Sequence, residues 1–226
     1  MSKGFLGIII VVIVVFAGIF FIGNHKTANA PGSKSSSSSK NTPTNHVEGK
    51  GKSGITVVEY GDYECPYCGQ AYAPVKQAVA DLNNQIYFQF RNFPLTQAHP
   101  NAFAGARAAE AAAMQGKFWQ MHDLLYENQD PNGQSGWVAS GDPLNQYFVG
   151  FAKQLGLNIN QFKTDYNSSK VNDLINADMA EGNKLNITGT PTFFINGKKT
   201  DLQYADGAGA VEKVIQNAIN QKNQGH

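Results

Sequence analysis

The hydrophobic pattern of the chain falls into three stretches. Residues 5–22 form an unbroken apolar run, residues 23–53 are rich in Ser, Gly, Asn, Pro and Lys, and residues 54–222 alternate short β-branched runs with helical periods. The middle stretch is too poor in apolar side chains to offset the entropy of ordering. The pattern predicts an N-terminal apolar segment over residues 1–22, a disordered linker over 23–53 and one folded domain over 54–222.

The apolar run over residues 5–22 contains no charged side chain. As a helix it would rise about 27 Å, close to the thickness of a bilayer core. A secretory signal has a shorter apolar run of about 7–15 residues, although residues 28–30 (ANA) resemble a cleavage site. We therefore expect an uncleaved transmembrane anchor, with a signal peptide as the alternative.

The first part of the folded domain reads as a strand, a helix and a second strand. Residues 55–60 (ITVVEY) are mostly β-branched and apolar, apolar positions recur at helical spacing over residues 66–83, and apolar and polar residues alternate over residues 86–91. These elements predict a β-α-β unit, whose crossover is right-handed in nearly all folds.

The second part of the domain begins with helices. Ala-rich and amphipathic helical segments fill residues 100–184. Residues 192–196 then predict a third strand, Asn196-Gly197 a hairpin turn, residues 202–204 a short partner strand and residues 211–219 a last helix. The predicted fold is therefore α/β: a β-α-β unit with a C-terminal β-hairpin and helix, interrupted by an inserted helical domain.

Composition and charge narrow the choice of partners. The chain holds 18 Lys and Arg against 17 Asp and Glu, and 42% of its residues are hydrophobic, which is enough for a packed core. The basic residues are scattered along the folded part and never cluster. This excludes the basic surface of a nucleic-acid-binding protein.

The two cysteines of the chain form the motif Cys65-Pro66-Tyr67-Cys68 between a predicted strand and a predicted helix. At the first turn of a helix, residues i and i+3 lie on one face about 5–6 Å apart, within the separation that a disulfide requires. Pro66 suits the first helical position, which makes Cys65 the N-cap. Its sulfur then faces the positive end of the helix dipole, which favours the thiolate. We predict that Cys65 attacks and that Cys68 resolves.

Two other uses of paired cysteines are open. A structural zinc site needs four ligands, and none of the five histidines has a ligand-like spacing; His99 and His122 are expected to be capping or core residues. A purely structural disulfide that closes so small a loop adds little stability. Redox exchange at the cysteine pair needs no metal and no organic cofactor, and we expect none.

Two separated segments resemble the DsbA-like branch of the thioredoxin superfamily: residues 58–68 (VEYGDYECPYC) and residues 189–197 (GTPTFFING). The resemblance covers residues 54–222, including the helical insertion. It implies a thioredoxin fold with an inserted helical domain. It also implies a disulfide oxidoreductase outside the cytoplasm that oxidises exported proteins and is itself reoxidised by a quinone-linked membrane oxidase.

The resemblance assigns roles to further residues. Thr190-Pro191 would form a loop whose cis proline packs against the disulfide and whose backbone pairs with extended substrates, although the residues alone favour a trans bond. Glu59 matches the position of an acidic side chain beneath the active site. A carboxyl buried there has a raised pKa and exchanges protons with Cys68. The alternative is a Glu at the end of its strand that reaches solvent.

The residue between the cysteines bears on the redox potential. The strongest oxidants of this family carry a His there, whose positive charge stabilises the thiolate, whereas Tyr67 offers only a hydroxyl. Asp62 and Glu64 are expected to repel a thiolate. The sequence therefore predicts that Cys65 is less acidic, and the disulfide less oxidising, than in those members.

Taken together, these features predict a single-pass membrane protein with an extracytoplasmic catalytic domain that introduces disulfides into exported, thiol-containing proteins. A reductase or isomerase on the same fold is the first alternative. The second is a non-catalytic anchored binding module with a permanent disulfide.

Overall fold

The structure, a computed structural model, describes residues 42–225. Within these residues a five-stranded mixed sheet is combined with seven α-helices. The strands are β1 (His46–Gly49), β2 (Ile55–Gly61), β3 (Ile86–Asn92), β4 (Thr192–Ile195) and β5 (Lys198–Thr200); the helices are α1 (Pro66–Asp81), α2 (Ala102–Ala113), α3 (Phe118–Glu127), α4 (Val149–Gln154), α5 (Ile159–Tyr166), α6 (Ser169–Lys184) and α7 (Ala208–Gln224).

The sheet has the strand order β1-β3-β2-β4-β5. Strands β2 and β3 are parallel and joined through α1, and the other neighbouring pairs are antiparallel. One apolar core joins the sheet to α1 and α7, and its members include Val57, Phe88, Phe193, Val75 and Ile215. The predicted β-α-β unit, the hairpin and the last helix are confirmed.

The predicted helical insertion is also confirmed, since α2 to α6 lie between β3 and β4. Its core is formed by large apolar side chains such as Trp137, Phe148 and Phe162. Both cysteines belong to the same buried cluster. The cysteine motif therefore lies where the helical insertion packs against the sheet domain.

Strand β1 lies in the stretch for which the sequence predicts a disordered linker. It pairs antiparallel with β3, with His46 opposite Phe90, and the backbone N–H and the hydroxyl of Thr44 donate to the buried carboxylate of Asp178 at 2.7 and 2.8 Å. These contacts are backbone pairing and buried polar bonds, which leave no apolar pattern in the sequence. The prediction is corrected here: residues 42–53 belong to the folded domain.

The partner strand of the C-terminal hairpin is also displaced from its prediction. It is β5, residues 198–200, whereas Leu202 is fully buried and Tyr204–Asp206 form a 3₁₀ turn. Asn196 and Gly197 both have positive φ, 47° and 79°. This two-residue turn pairs Ile195 directly with Lys198, so the second strand must start immediately after the turn.

The predicted membrane anchor, residues 5–22, and residues 23–41 of the predicted linker lie outside the described residues. None of the helices in residues 42–225 combines the length and the apolar character that crossing a membrane requires.

Candidate active site

The cysteine motif begins α1, directly after the loop that follows β2. Cys65 is the N-cap of α1 with an extended backbone (φ −65°, ψ 122°), and Pro66 occupies the start of the helix. Proline is tolerated there because the first helical residues have no intrahelical acceptor for their N–H groups. The predicted placement of the motif is therefore confirmed, and Cys68 lies one turn into the helix.

The two cysteines are free thiols whose pKa values are shifted in opposite directions. The pKa of Cys65 is lowered to about 6, mainly because the Cys68 thiol hydrogen-bonds to its sulfur, with contributions from the backbone N–H groups of Cys68 and Tyr67. Burial raises the pKa of Cys68 well above its usual range, and the neighbouring Cys65 acts in the same direction. Cys65 is therefore the sulfur that ionises, as its position at the helix N-terminus predicts.

The motif is reachable from solvent. Although Cys65 is only 3% exposed, the adjacent Tyr67 is 62% exposed. An open cleft of about 710 Å³ borders the motif, and its lining includes Pro66, Glu64 and His99. The cleft thus reaches the motif at Pro66, and neither cysteine is part of its lining.

The loop before β4 lies beside the cysteine motif. The Thr190–Pro191 peptide bond is cis, as the family resemblance implies. The Cys65 thiol donates a hydrogen bond of 3.3 Å to the carbonyl oxygen of Thr190, and the hydroxyl of Thr192 anchors the loop by donating to the Gly189 carbonyl oxygen at 2.7 Å. The structure thus brings together Cys65 and this loop, 125 residues apart in sequence.

Glu59 lies in the central strand β2 and is 5% exposed. It stands between Phe90 of β3 and Phe193 of β4 in the sheet register. Burial, together with the charge of Cys65, raises its pKa to about 8. The alternative that this carboxyl reaches solvent at the end of its strand is therefore wrong, and Glu59 titrates near the pH at which thiol exchange proceeds.

Glu59 also lines a cavity of about 180 Å³ that the sequence did not predict. The Lys76–Asp123 ion pair at this cavity is partly exposed, with 48% and 33% of the two side chains accessible. His122 Nε2 and the Tyr126 hydroxyl find no hydrogen-bond partner among the described residues. The cavity has room for water beside these polar groups. Its residues come from distant elements, so no local sequence signal identifies them.

The loop that precedes Cys65 holds a second unpredicted feature, an ion pair between Asp62 and His99. His99 Nδ1 lies 2.7 Å from Asp62 Oδ2, and the Asp62 side chain is fully buried. The sequence does not indicate that these two side chains meet, because they are 37 positions apart. His122, by contrast, is a buried core residue as expected.

Comparisons with known proteins agree with this geometry. The family model described as thioredoxin matches residues 41–215. A thioredoxin-like oxidoreductase from Silicibacter pomeroyi is 28% identical, with a TM-score of 0.62 over 82% of this chain and 95% of that one. BdbD from Bacillus subtilis has a similar fold, with a TM-score of 0.65 at 24% identity over 79% of this chain and 96% of that one.

The sequence relatives are longer proteins. The Na⁺/H⁺ antiporter NhaA 1 of Salinispora arenicola is 41% identical over 159 residues, which is 70% of this chain and 22% of that protein. The chain thus spans less than a quarter of the length of the curated relatives it matches.

The family match covers both the cysteine motif and the loop with the cis proline, and the two solved structures have a similar fold over most of their length. Because these are also the elements that build the site described above, the chain belongs to the thioredoxin family.

Proposed function

We propose that this chain acts outside the cytoplasm as an oxidase that transfers its Cys65–Cys68 disulfide to exported proteins. The observation that carries the proposal is that the pKa values of the two thiols are shifted in opposite directions. The pKa of Cys65 is lowered to about 6, and the pKa of Cys68 is raised. A stabilised Cys65 thiolate favours the reduced form of the enzyme and so makes its disulfide a better oxidant.

The exchange is a pair of substitutions at sulfur. A substrate thiolate attacks Cys65 Sγ, which forms a mixed disulfide and breaks the bond to Cys68. Cys68 leaves as a thiolate and takes a proton, for which Glu59 is the buried donor nearby. A second substrate thiolate then attacks the substrate sulfur, forms the substrate disulfide and releases Cys65 as a thiolate. Two electrons pass from the substrate to the enzyme.

Glu59 must recover its proton after each cycle. The cavity that it lines also contains the partly exposed Asp123 and Lys76. Water in this cavity gives protons a route between Glu59 and the surface. We therefore assign Glu59 the role of the proton donor and acceptor for Cys68, and Thr190 and Pro191 the role of the loop that pairs with the extended substrate.

Reoxidation needs a partner. The predicted membrane anchor, residues 5–22, would hold the catalytic domain near the bilayer. A quinone-linked membrane oxidase could accept the two electrons there. Both the anchor and the oxidase belong to the proposal, as does the location outside the cytoplasm.

The direction of electron flow is tested by the reduction potential. We expect a reduction potential above about −200 mV, in the range of enzymes that donate disulfides. The measurement is equilibration of the pure protein with glutathione buffers, followed by trapping and mass spectrometry of the thiols. A potential below about −260 mV, near that of thioredoxin, would make the chain a reductase instead. The observation that favours this second function is Tyr67, which places no charge between the cysteines.

The ionisation of Cys65 gives a separate prediction. Titration of the thiolate absorbance in the reduced protein should show a midpoint at pH ~6, since the Cys68 thiol and the helix N-terminus stabilise the anion. The Cys65→Ser variant should lack this midpoint, which assigns it to one sulfur. A midpoint near ~3.5, as in the most acidic members of the DsbA group, would contradict the expectation drawn from Tyr67.

A further inference from the structure

The loop between β2 and α1 carries a buried carboxylate three residues before Cys65. Three donors surround Asp62: His99 Nδ1 at 2.7 Å, the N–H of Glu64 at 2.8 Å and the N–H of Leu95 at 2.9 Å. An ionised carboxylate only accepts hydrogen bonds, so this set of donors matches the anion. The fold thus holds a negative charge in the loop that positions the cysteines.

The same residue is bonded to both cysteines through its backbone. The carbonyl oxygen of Asp62 accepts from the N–H of Cys65 at 3.2 Å, and the N–H of Asp62 donates to the sulfur of Cys68 at 3.5 Å. A carboxylate so placed repels a thiolate, as the sequence leads one to expect. Yet the pKa of Cys65 is lowered. The Cys68 thiol is the largest cause of that lowering, and a cation beside Asp62 would offset the repulsion as well.

His99 is the group placed to compensate it. Asp62 raises the pKa of His99 through the hydrogen bond and the charge interaction, and the charges of Cys65 and Glu64 act in the same direction. No Lys or Arg within residues 42–225 forms an ion pair with Asp62 or Glu64. In this part of the chain, His99 is therefore the one basic side chain that pairs with a carboxylate of this loop.

We propose that His99 is a positioning residue for the Cys65 thiolate, which it stabilises by neutralising the carboxylate of Asp62. The imidazolium supplies, from the loop after β3, the positive charge that Tyr67 does not supply from within the motif. This inference rests on the proposed function in one respect: it takes the Cys65 thiolate as the reactive group.

Thiolate titration of a His99→Gln variant tests the proposal. Glutamine keeps an N–H donor for Asp62 but removes the charge. We expect the pKa of Cys65 to rise by about one unit and its alkylation by iodoacetamide at pH 6 to slow several-fold. A His99→Lys variant, which restores a cation, should recover part of the shift. Unchanged titration in the Gln variant, or equal shifts in the Gln and Lys variants, would overturn the proposal.

A matched control is available in the chain. His46 also pairs with a buried carboxylate, that of Glu110, at 2.8 Å. His46→Gln removes a comparable ion pair outside the cysteine loop and should leave the Cys65 titration unchanged. A shift as large as that of His99→Gln would show a general effect of losing a His–carboxylate pair and would overturn the proposal.

An Asp62→Asn background separates electrostatics from structure. Without the carboxylate, His99→Gln leaves no unpaired anion beside Cys65, so its effect on the titration should largely disappear. Additive shifts in the double variant would overturn the proposal. Because alkylation reports the thiolate directly, these outcomes do not depend on whether the chain works as an oxidase, which the reduction potential decides separately.

Discussion

Replacing Cys65 with serine should reduce disulfide exchange to the uncatalysed background. At pH 7 a thiol with a pKa of about 6 is about nine-tenths ionised, whereas a serine hydroxyl is not ionised and forms no disulfide. The measurement is the rate at which oxidised protein restores the activity of a reduced, disulfide-dependent substrate enzyme. Substantial restoration by the Cys65→Ser variant would rule out the mechanism.

Replacing Cys68 with alanine should have the complementary effect. Cys65 then attacks a peptide disulfide and forms a mixed disulfide that no second sulfur resolves. We expect the adduct to accumulate and to be visible by non-reducing electrophoresis and mass spectrometry. The double variant, Cys65→Ser with Cys68→Ala, is the matched control and should form none. A non-catalytic binding module would form no adduct with either variant, so this experiment decides between the two classes.

Replacing Glu59 with glutamine should stabilise the protein in alkaline solution. The carboxyl titrates at about 8 in the folded state against an ordinary value of 4.5. Between these pH values the folded state holds a proton that the unfolded state has lost, so this group lowers stability as pH rises towards 8. The difference corresponds to at most ~5 kcal/mol. Glutamine does not titrate, and the variant should lack this decline.

Urea unfolding at pH 5 and at pH 8 measures this effect. The Glu59→Gln variant should exceed the native protein in free energy of unfolding by ~2–4 kcal/mol at pH 8 and by much less at pH 5. Glu127, whose side chain is 51% exposed, provides the control, since Glu127→Gln should change neither value appreciably. If the free energy of unfolding changed with pH in the same way in the native protein and in the Glu59→Gln variant, the pKa of the Glu59 carboxyl would not be raised.

The same substitution should slow catalysis. Cys68 leaves as a thiolate although its pKa is raised by burial, so a nearby acid lowers the barrier. General acid catalysis contributes about 10²-fold or more in enzymes, and we expect a loss of at least tenfold in exchange rate at pH 7. A variant that is more stable at pH 8 but exchanges thiols at the native rate would remove Glu59 from the mechanism and leave the rest of the proposal intact.

The parts of the site that are close together in sequence were predictable. The spacing of Cys65 and Cys68, with Pro66 between them, selects a helix N-terminus, and that local geometry by itself makes one sulfur acidic. Glu59 was identified by its charge within an apolar strand. The sequence does not decide whether this side chain is exposed, because the burial of a strand residue depends on the helices that pack over it.

Other parts had no local signal. The ion pair between Asp62 and His99 joins a loop after β2 to a loop after β3, and the cavity at Glu59 is lined by residues of two helices, α1 and α3, and of three strands. Strand β1 is held by backbone bonds and by the Asp178 carboxylate rather than by an apolar face. Charge compensation and buried polar contacts leave no periodicity, so sequence reasoning missed all three.

The sequence by itself determined the β-α-β unit, the helical insertion, the last helix and the redox-active pair, because hydrophobic periods and a four-residue motif are local properties of the chain. Only the tertiary structure decided how the charges around that pair are balanced. The acidity of a thiol depends on which groups surround it at a few ångströms. At Cys65 these include Cys68 and the loop of Thr190, and we propose that His99 adds to them through its ion pair with Asp62. Chain folding brings the Thr190 loop and His99 to this site from distant positions in the sequence. Their spacing along the chain does not indicate that they meet.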